Sequence, residues 1–259
     1  MSARGPLAVL LLAAALCTSA GAAASMDALP GARAAGAGPG VQTMIVGTGG
    51  AVLARARTVT ASASSVRVGG RSCAVAAGTP LAVLAALRST GGPGFALRDY
   101  GHCGASARNS AELFVDSLAG EANSGQDGWE YKVDGVSGST GAADPSGAFG
   151  NGRLLSAGER VLWFWCDAQG AGCQRTLEVS VPRSSVAAGG ELTVAVTGFD
   201  NEGRGVPVAG AIVTLGSDFA STGAGGRATL IAPSAAGRYA VSAARRGLVP
   251  SFPETIVVR

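Results

Sequence analysis

Four cysteines downstream of an apolar leader constrain this chain more than any other feature. Cys73, Cys103, Cys166 and Cys173 form an even set once Cys17, inside the leader, is set aside. In an exported chain an even set reads as a disulfide framework, and four cysteines allow three pairings. We expect Cys73–Cys103 and Cys166–Cys173, because each pair lies near the ends of elements that should neighbour one another. By chain entropy such staples contribute about 3.7 and about 2.5 kcal/mol. Zinc is the rival use of these residues. It would need a tighter ligand spacing than any present, and His102 is the one histidine.

The leader has the parts of a signal peptide. Arg4 supplies the positive start, Pro6–Leu16 the apolar stretch, and the small residues of Ser19–Ala24 a cleavage region after Ala22 or Ala24. An apolar run of about 11 residues is short of the roughly 20 that span a bilayer. Leu81–Leu87 is shorter still and ends at Arg88, so no transmembrane anchor is expected after signal cleavage. The expected location is secreted or cell-surface.

Only 14% of the residues are charged, and net charge is +3. Arg245-Arg246 is the sole arginine cluster and cannot track a phosphate backbone, which argues against a nucleic-acid partner. After the signal (1–24), the Gly/Ala/Pro-rich stretch 25–42 reads as a flexible leader.

From Thr43 the chain becomes periodic. Met44–Val46 is a short apolar run and Arg57–Val68 alternates with strand period. Thr79 can cap a helix whose first position is Pro80 and whose stripe is Leu81, Leu84, Ala85 and Leu87; Gly91–Gly94 ends it. Phe95–Tyr100, Leu113–Leu118 and Trp129–Val133 read as strands. In the last, Trp129, Tyr131 and Val133 share one face and Glu130, Lys132 and Asp134 the other, solvated one. Arg160–Cys166 is apolar on both faces, which suits a central strand or one showing aromatics to a partner. Past Cys173, Arg175–Val181, Glu191–Val196, Ala211–Leu215, Arg227–Ile231, Arg238–Ala243 and Thr255–Val258 read as strands between Gly- and Pro-rich turns, the pattern of a β-sandwich.

Residues 43–173 carry a recognisable order: a TPLAVLAAL helix at Thr79–Leu87, then DGWEYKVDG at Asp127–Gly135, then RLLSAGERVLWFWC at Arg153–Cys166. In this they resemble a bacterial domain-of-unknown-function family related to the C-terminal domain of transcobalamin and intrinsic factor. That resemblance implies a β-grasp-like α+β fold, a mixed sheet packed against one helix, without catalysis. Residues 174–259 resemble bacterial immunoglobulin-like or carboxypeptidase-regulatory-like modules through Gly205–Gly216, Thr222–Leu230 and Ala236–Gly247, which implies an immunoglobulin-like β-sandwich acting as a spacer or adhesion module. The expected fold is therefore mostly β, in two domains.

We expect no enzyme, no cofactor and no metal. His102, between Gly101 and Cys103, has no nucleophile motif beside it. The Gly47–Gly50 turn after Met44–Val46 lacks the third glycine and the distant acid of a dinucleotide site. Asp127, Glu130, Asp134 and Asp144 read as solvated charge. The ligand-binding candidates are Trp129, Tyr131, Trp163 and Trp165, which with Phe164 gather on two neighbouring strands. The expected function is non-catalytic binding or structure toward an extracellular ligand or surface protein. Corrinoid or tetrapyrrole capture with a partner subunit is the alternative, and a carbohydrate-active hydrolase using Asp127 or Glu130 is third.

Overall fold

The computed structural model describes residues 37–168 and 172–259. The signal peptide and most of the expected leader lie outside the described residues. Among the described residues, the strands and the α-helix of the first half are β1 (Gly40–Val46), β2 (Val52–Thr60), β3 (Ser64–Val68), β4 (Arg71–Val75), α1 (Pro80–Ser89), β5 (Phe95–Asp99), β6 (Leu113–Leu118), β7 (Glu121–Ala122), β8 (Gly128–Val133), β9 (Val136–Ser137) and β10 (Arg160–Cys166). The main sheet runs β2-β1-β10-β8-β9, with β1 parallel to β10 and the other pairs antiparallel. A mixed sheet of this order with one helix against it is β-grasp-like. Two smaller sheets, β3-β4 and β5-β6-β7, complete the half.

The helix forms where its signals stand. The Thr79 hydroxyl accepts from Ala82 N–H at 3.3 Å, Pro80 occupies the first position, and Gly92 N–H closes the end on Leu87 O. Leu81, Leu84 and Leu87 are buried in one core with Val41, Ile45, Val161 and Trp163.

Strand β10 is central and covered on both sides. Val161 and Trp163 enter the helix-side core, while Leu162, Phe164 and Cys166 enter a second apolar cluster with Met44, Val46, Val249 and Phe252. Val249 and Phe252 belong to the second half, so the reverse face of the β-grasp sheet is where the two halves meet. Lys132 lies on that face and is fully buried, which corrects the expectation that it is solvated. Its ammonium donates to Thr176 Oγ1 at 3.2 Å, Phe199 O at 3.1 Å and Asp200 O at 2.8 Å. Ser137 N–H donates to Asn201 O, and Arg160 pairs with Glu254 at 2.6 Å across the same junction.

The second half is a sandwich. One sheet holds β11 (Thr176–Ser180), β13 (Glu191–Phe199), β14 (Gly205–Pro207) and β17 (Arg227–Ile231). The other runs β12 (Ser185–Val186), β19 (Glu254–Val258), β18 (Gly237–Ala244), β15 (Ile212–Leu215), β16 (Asp218–Ser221). Alternation on β13 turns Leu192, Val194 and Val196 toward Val213, Leu215, Val241 and Ile256. The protein is thus mostly β, a β-grasp-like unit followed by an immunoglobulin-like sandwich.

Two expected boundaries shift. Residues 40–42, assigned to the leader, begin β1, because Gly40 and Gln42 pair with Thr60 and Thr58. Arg57–Val68 is two strands rather than one. At Ala61 the chain turns, with Ser62 N–H bonded to Thr60 O and Ala61 N–H to Pro39 O. Strand β3 then leaves the main sheet to pair with β4 through a turn at Gly69 and Gly70, with φ of 55° and 83°.

Both disulfides have the expected partners, Cys73–Cys103 and Cys166–Cys173. The first ties β4 to the loop after β5. Asp99 braces the same place, accepting from Arg71 Nη2 at 2.7 Å and Cys103 N–H at 3.2 Å. It closes a sequence separation of 30 residues, so the double substitution Cys73→Ser, Cys103→Ser is expected to cost about 2–4 kcal/mol. The drop in denaturant midpoint at constant slope measures it.

Candidate binding cleft

Beside β8, the small sheet of β5 and β6 turns one face outward. Along β6, Leu113 and Val115 are buried while Phe114 and Asp116 point out, as the strand period requires. Arg98 stands opposite Phe114 on β5, and Tyr100 follows two residues on. Tyr100 and Phe114 are 64% and 44% exposed, with ring centroids 6.1 Å apart in an edge-to-face arrangement. They open on a cleft of about 360 Å³ whose other wall is the 123–130 segment.

That wall is pinned in place. The Asn123 amide donates to Val115 O at 2.8 Å and accepts from Trp129 N–H at 2.8 Å. Ser124 and Asp127 exchange both backbone hydrogen bonds, each 3.0 Å, around a turn whose first corner is Gly125 at φ 64°. Asp127 Oδ1 accepts from Ala168 N–H. Arg98 donates toward the Tyr100 hydroxyl at 3.5 Å and pairs with Asp116 at 2.9 Å. Gln126 and Glu130 have no side-chain hydrogen bond or ion pair among the described residues. Desolvation raises the Glu130 carboxyl above its usual range even though the residue remains exposed.

Of the four aromatic candidates read from the sequence, Trp129 borders this cleft but is itself buried, and the other three lie elsewhere. Register pairs Trp163 with Tyr131 and Trp165 with Trp129, which sets all four on the face that α1 and the small sheets cover. Trp129, Tyr131 and Trp163 are buried. The Tyr131 hydroxyl donates to Thr140 O at 2.9 Å, and Trp129 Nε1 donates to Glu121 O at 2.9 Å. These three are core, so the aromatic face offered as open to a ligand is closed. Trp165 is half-buried, edge-on to Trp129 at 5.8 Å, and borders a second cleft of about 190 Å³ with Thr48, Gln174 and Leu248. Phe164, on the opposite face, meets the second half.

Of the chemical candidates, Asp127 and Glu130 line the cleft, whereas Asp134, Asp144 and His102 do not. Asp134 accepts from Arg160 N–H and Asp144 caps Ser146, so both carboxylates serve turns. His102 is exposed next to the buried Cys103. In the Gly47–Gly50 turn, Thr48 N–H and its hydroxyl both donate to the Glu121 carboxylate, which fills the place a phosphate would need. Among the described residues no three His, Cys, Asp or Glu side chains are grouped to hold a metal ion. No helix of the described residues is long and apolar enough to cross a membrane.

No protein family and no curated protein matches the chain. Among solved structures, the D00-D0 domain of Intimin is similar over 57% of this chain and 89% of its own, at 16% identity and a TM-score of 0.24. The D0-D1 domain of Intimin is similar over 85% of this chain and 98% of its own, at 13% identity and a TM-score of 0.25. Likeness at that level leaves the fold to rest on the strands and their order.

Proposed function

We propose that this is an extracytoplasmic, non-catalytic binding protein, secreted or displayed at the cell surface, whose sandwich holds the β-grasp-like unit as a rigid presenter of the Tyr100–Phe114 cleft. The observation that carries it is the pair of exposed rings facing a pinned, preformed wall, in a cleft whose acids Asp116, Asp127 and Glu130 have no histidine beside them. Two disulfides support an oxidising compartment, since they are rare where thioredoxin and glutathione keep thiols reduced. Mass spectrometry of the exported protein is the test. It should find an amino terminus just past Ala22 or Ala24 and no free thiol at the four cysteines. A retained leader with four free thiols refutes the placement.

A second reading follows from the resemblance to a family related to the C-terminal domain of transcobalamin and intrinsic factor. That resemblance implies a mixed sheet packed against one helix, with which the sheet here is compatible, and corrinoid or tetrapyrrole capture with a partner subunit goes with it. Titrating the protein with cobalamin or haem and following absorbance tests that reading.

A further inference from the structure

We propose that the cleft between Tyr100, Phe114 and the 123–130 wall takes a neutral oligosaccharide. This rests on the reading of the protein as a non-catalytic binder and names the ligand class of that site. The rings decide the first point. An aromatic side chain that is 64% exposed keeps its apolar face in water at a cost. Phe114 meets Tyr100 edge-to-face with an interplanar angle of 62°, which leaves ring faces free to receive a flat, C–H-lined surface. One face of a pyranose ring is such a surface, ringed by hydroxyls.

The rim supplies what hydroxyls need. Asp116, Asp127 and Glu130 accept, while Arg98 and the Gln126 amide donate, and all five line the same cleft. Gln126 and Glu130 have no partner of their own among the described residues, so they engage a ligand without first breaking an internal bond.

Charge narrows the choice. Three carboxylates face one guanidinium in the lining, an excess that repels uronates, phosphates and nucleic acid. A cationic ligand is disfavoured for a different reason. Arg98 donates toward the Tyr100 hydroxyl and pairs with Asp116, so one carboxylate is already neutralised and a like charge stands beside the rings against a lysine or arginine. A neutral, hydroxyl-rich ligand meets neither penalty. A cleft of about 360 Å³ lies within the size of small-molecule sites, about 300–1,000 Å³. Because Asn123 and the Ser124–Asp127 turn hold the wall, little ordering is required on binding.

The oxidised, exported protein is titrated by calorimetry with cellohexaose, maltohexaose and chitohexaose, with a galacturonic-acid hexamer and an octalysine peptide for comparison. At least one neutral hexasaccharide should bind, and Tyr100→Ala, Phe114→Ala and Gln126→Ala should each weaken it tenfold or more. His102→Ala, outside the cleft, should leave it unchanged. All four positions are at the surface or in a turn, and thermal midpoints near that of the parent confirm that the variants are folded. Failure of every neutral hexasaccharide to bind, preference for the uronate or the lysine peptide, or indifference to Tyr100→Ala overturns the proposal. Release of new reducing ends overturns the non-catalytic reading instead and leaves the sugar assignment standing.

Discussion

Lys132→Ala is expected to destabilise the protein by about 3–5 kcal/mol and to split its unfolding into two steps. The lysine is fully buried and spends its three ammonium protons on Thr176 Oγ1, Phe199 O and Asp200 O, all in the sandwich. Truncation leaves one buried and two half-buried acceptors without their donor, at about 1–3 kcal/mol for a buried group. It also empties the space of the four-carbon stem, a cavity cost of the same order. Lys132→Met fills the stem and should recover about half of the loss. Two-step unfolding follows because this contact, with Phe164 against Phe252 and Val249, couples the halves. A single transition in the alanine variant, with a midpoint equal to that of the parent, would show that the halves do not depend on it.

The same lysine has a pH signature. Burial lowers its pKa to about 8, against the raising effect of Asp200. An unfolded lysine titrates near 10.5, so between those values the unfolded chain binds more protons than the folded one. Stability from this group therefore rises as pH goes from about 8 to about 10.5, by about 3 kcal/mol at most. The charged lysine is a penalty below that window and none above it. Lys132→Met should lack this component when the two proteins are unfolded in denaturant across the window.

What was legible in the sequence followed local rules. The helix carried its own cap in Thr79, its proline at the first turn and its glycine stop, and it stands where those residues placed it. Arg160–Cys166 read as central because both faces are apolar, and its bounds agree with β10. Lys132 was not legible. Strand period puts it beside Glu130 and Asp134, which are exposed, and only the docking of a distant segment, Phe199–Asp200, covers it. The break at Ala61 was hidden for a similar reason, since alternation continues through a turn stabilised by Pro39 and Gly78. In the cleft, one signal was present. Phe114 shares its strand face with Asp116 while Leu113 and Val115 share the other, so the phenylalanine is the outward residue. Tyr100, past the end of β5, carried no such mark.

Trp163→Ala is expected to cost about 3–5 kcal/mol, and this separates core aromatics from cleft aromatics. Trp163 is 1% exposed, on the central strand, with its ring 5.3 Å from that of Tyr131. Removing it opens a cavity under α1 that neighbouring side chains cannot close, because Tyr131 is held by Thr140 and the helix by its cap. Its Nε1 proton has no hydrogen-bond partner among the described residues, so Trp163→Phe removes an unpaired buried donor along with part of the ring and should cost under about 1.5 kcal/mol. Tyr100→Ala and Phe114→Ala give up exposed rings and should stay within about 1 kcal/mol of the parent. Chemical denaturation of the four variants reads the contrast directly. A Trp163→Ala protein as stable as the parent would return that ring to the list of ligand contacts, and Tyr100→Ala losing several kcal/mol would move the cleft into the core.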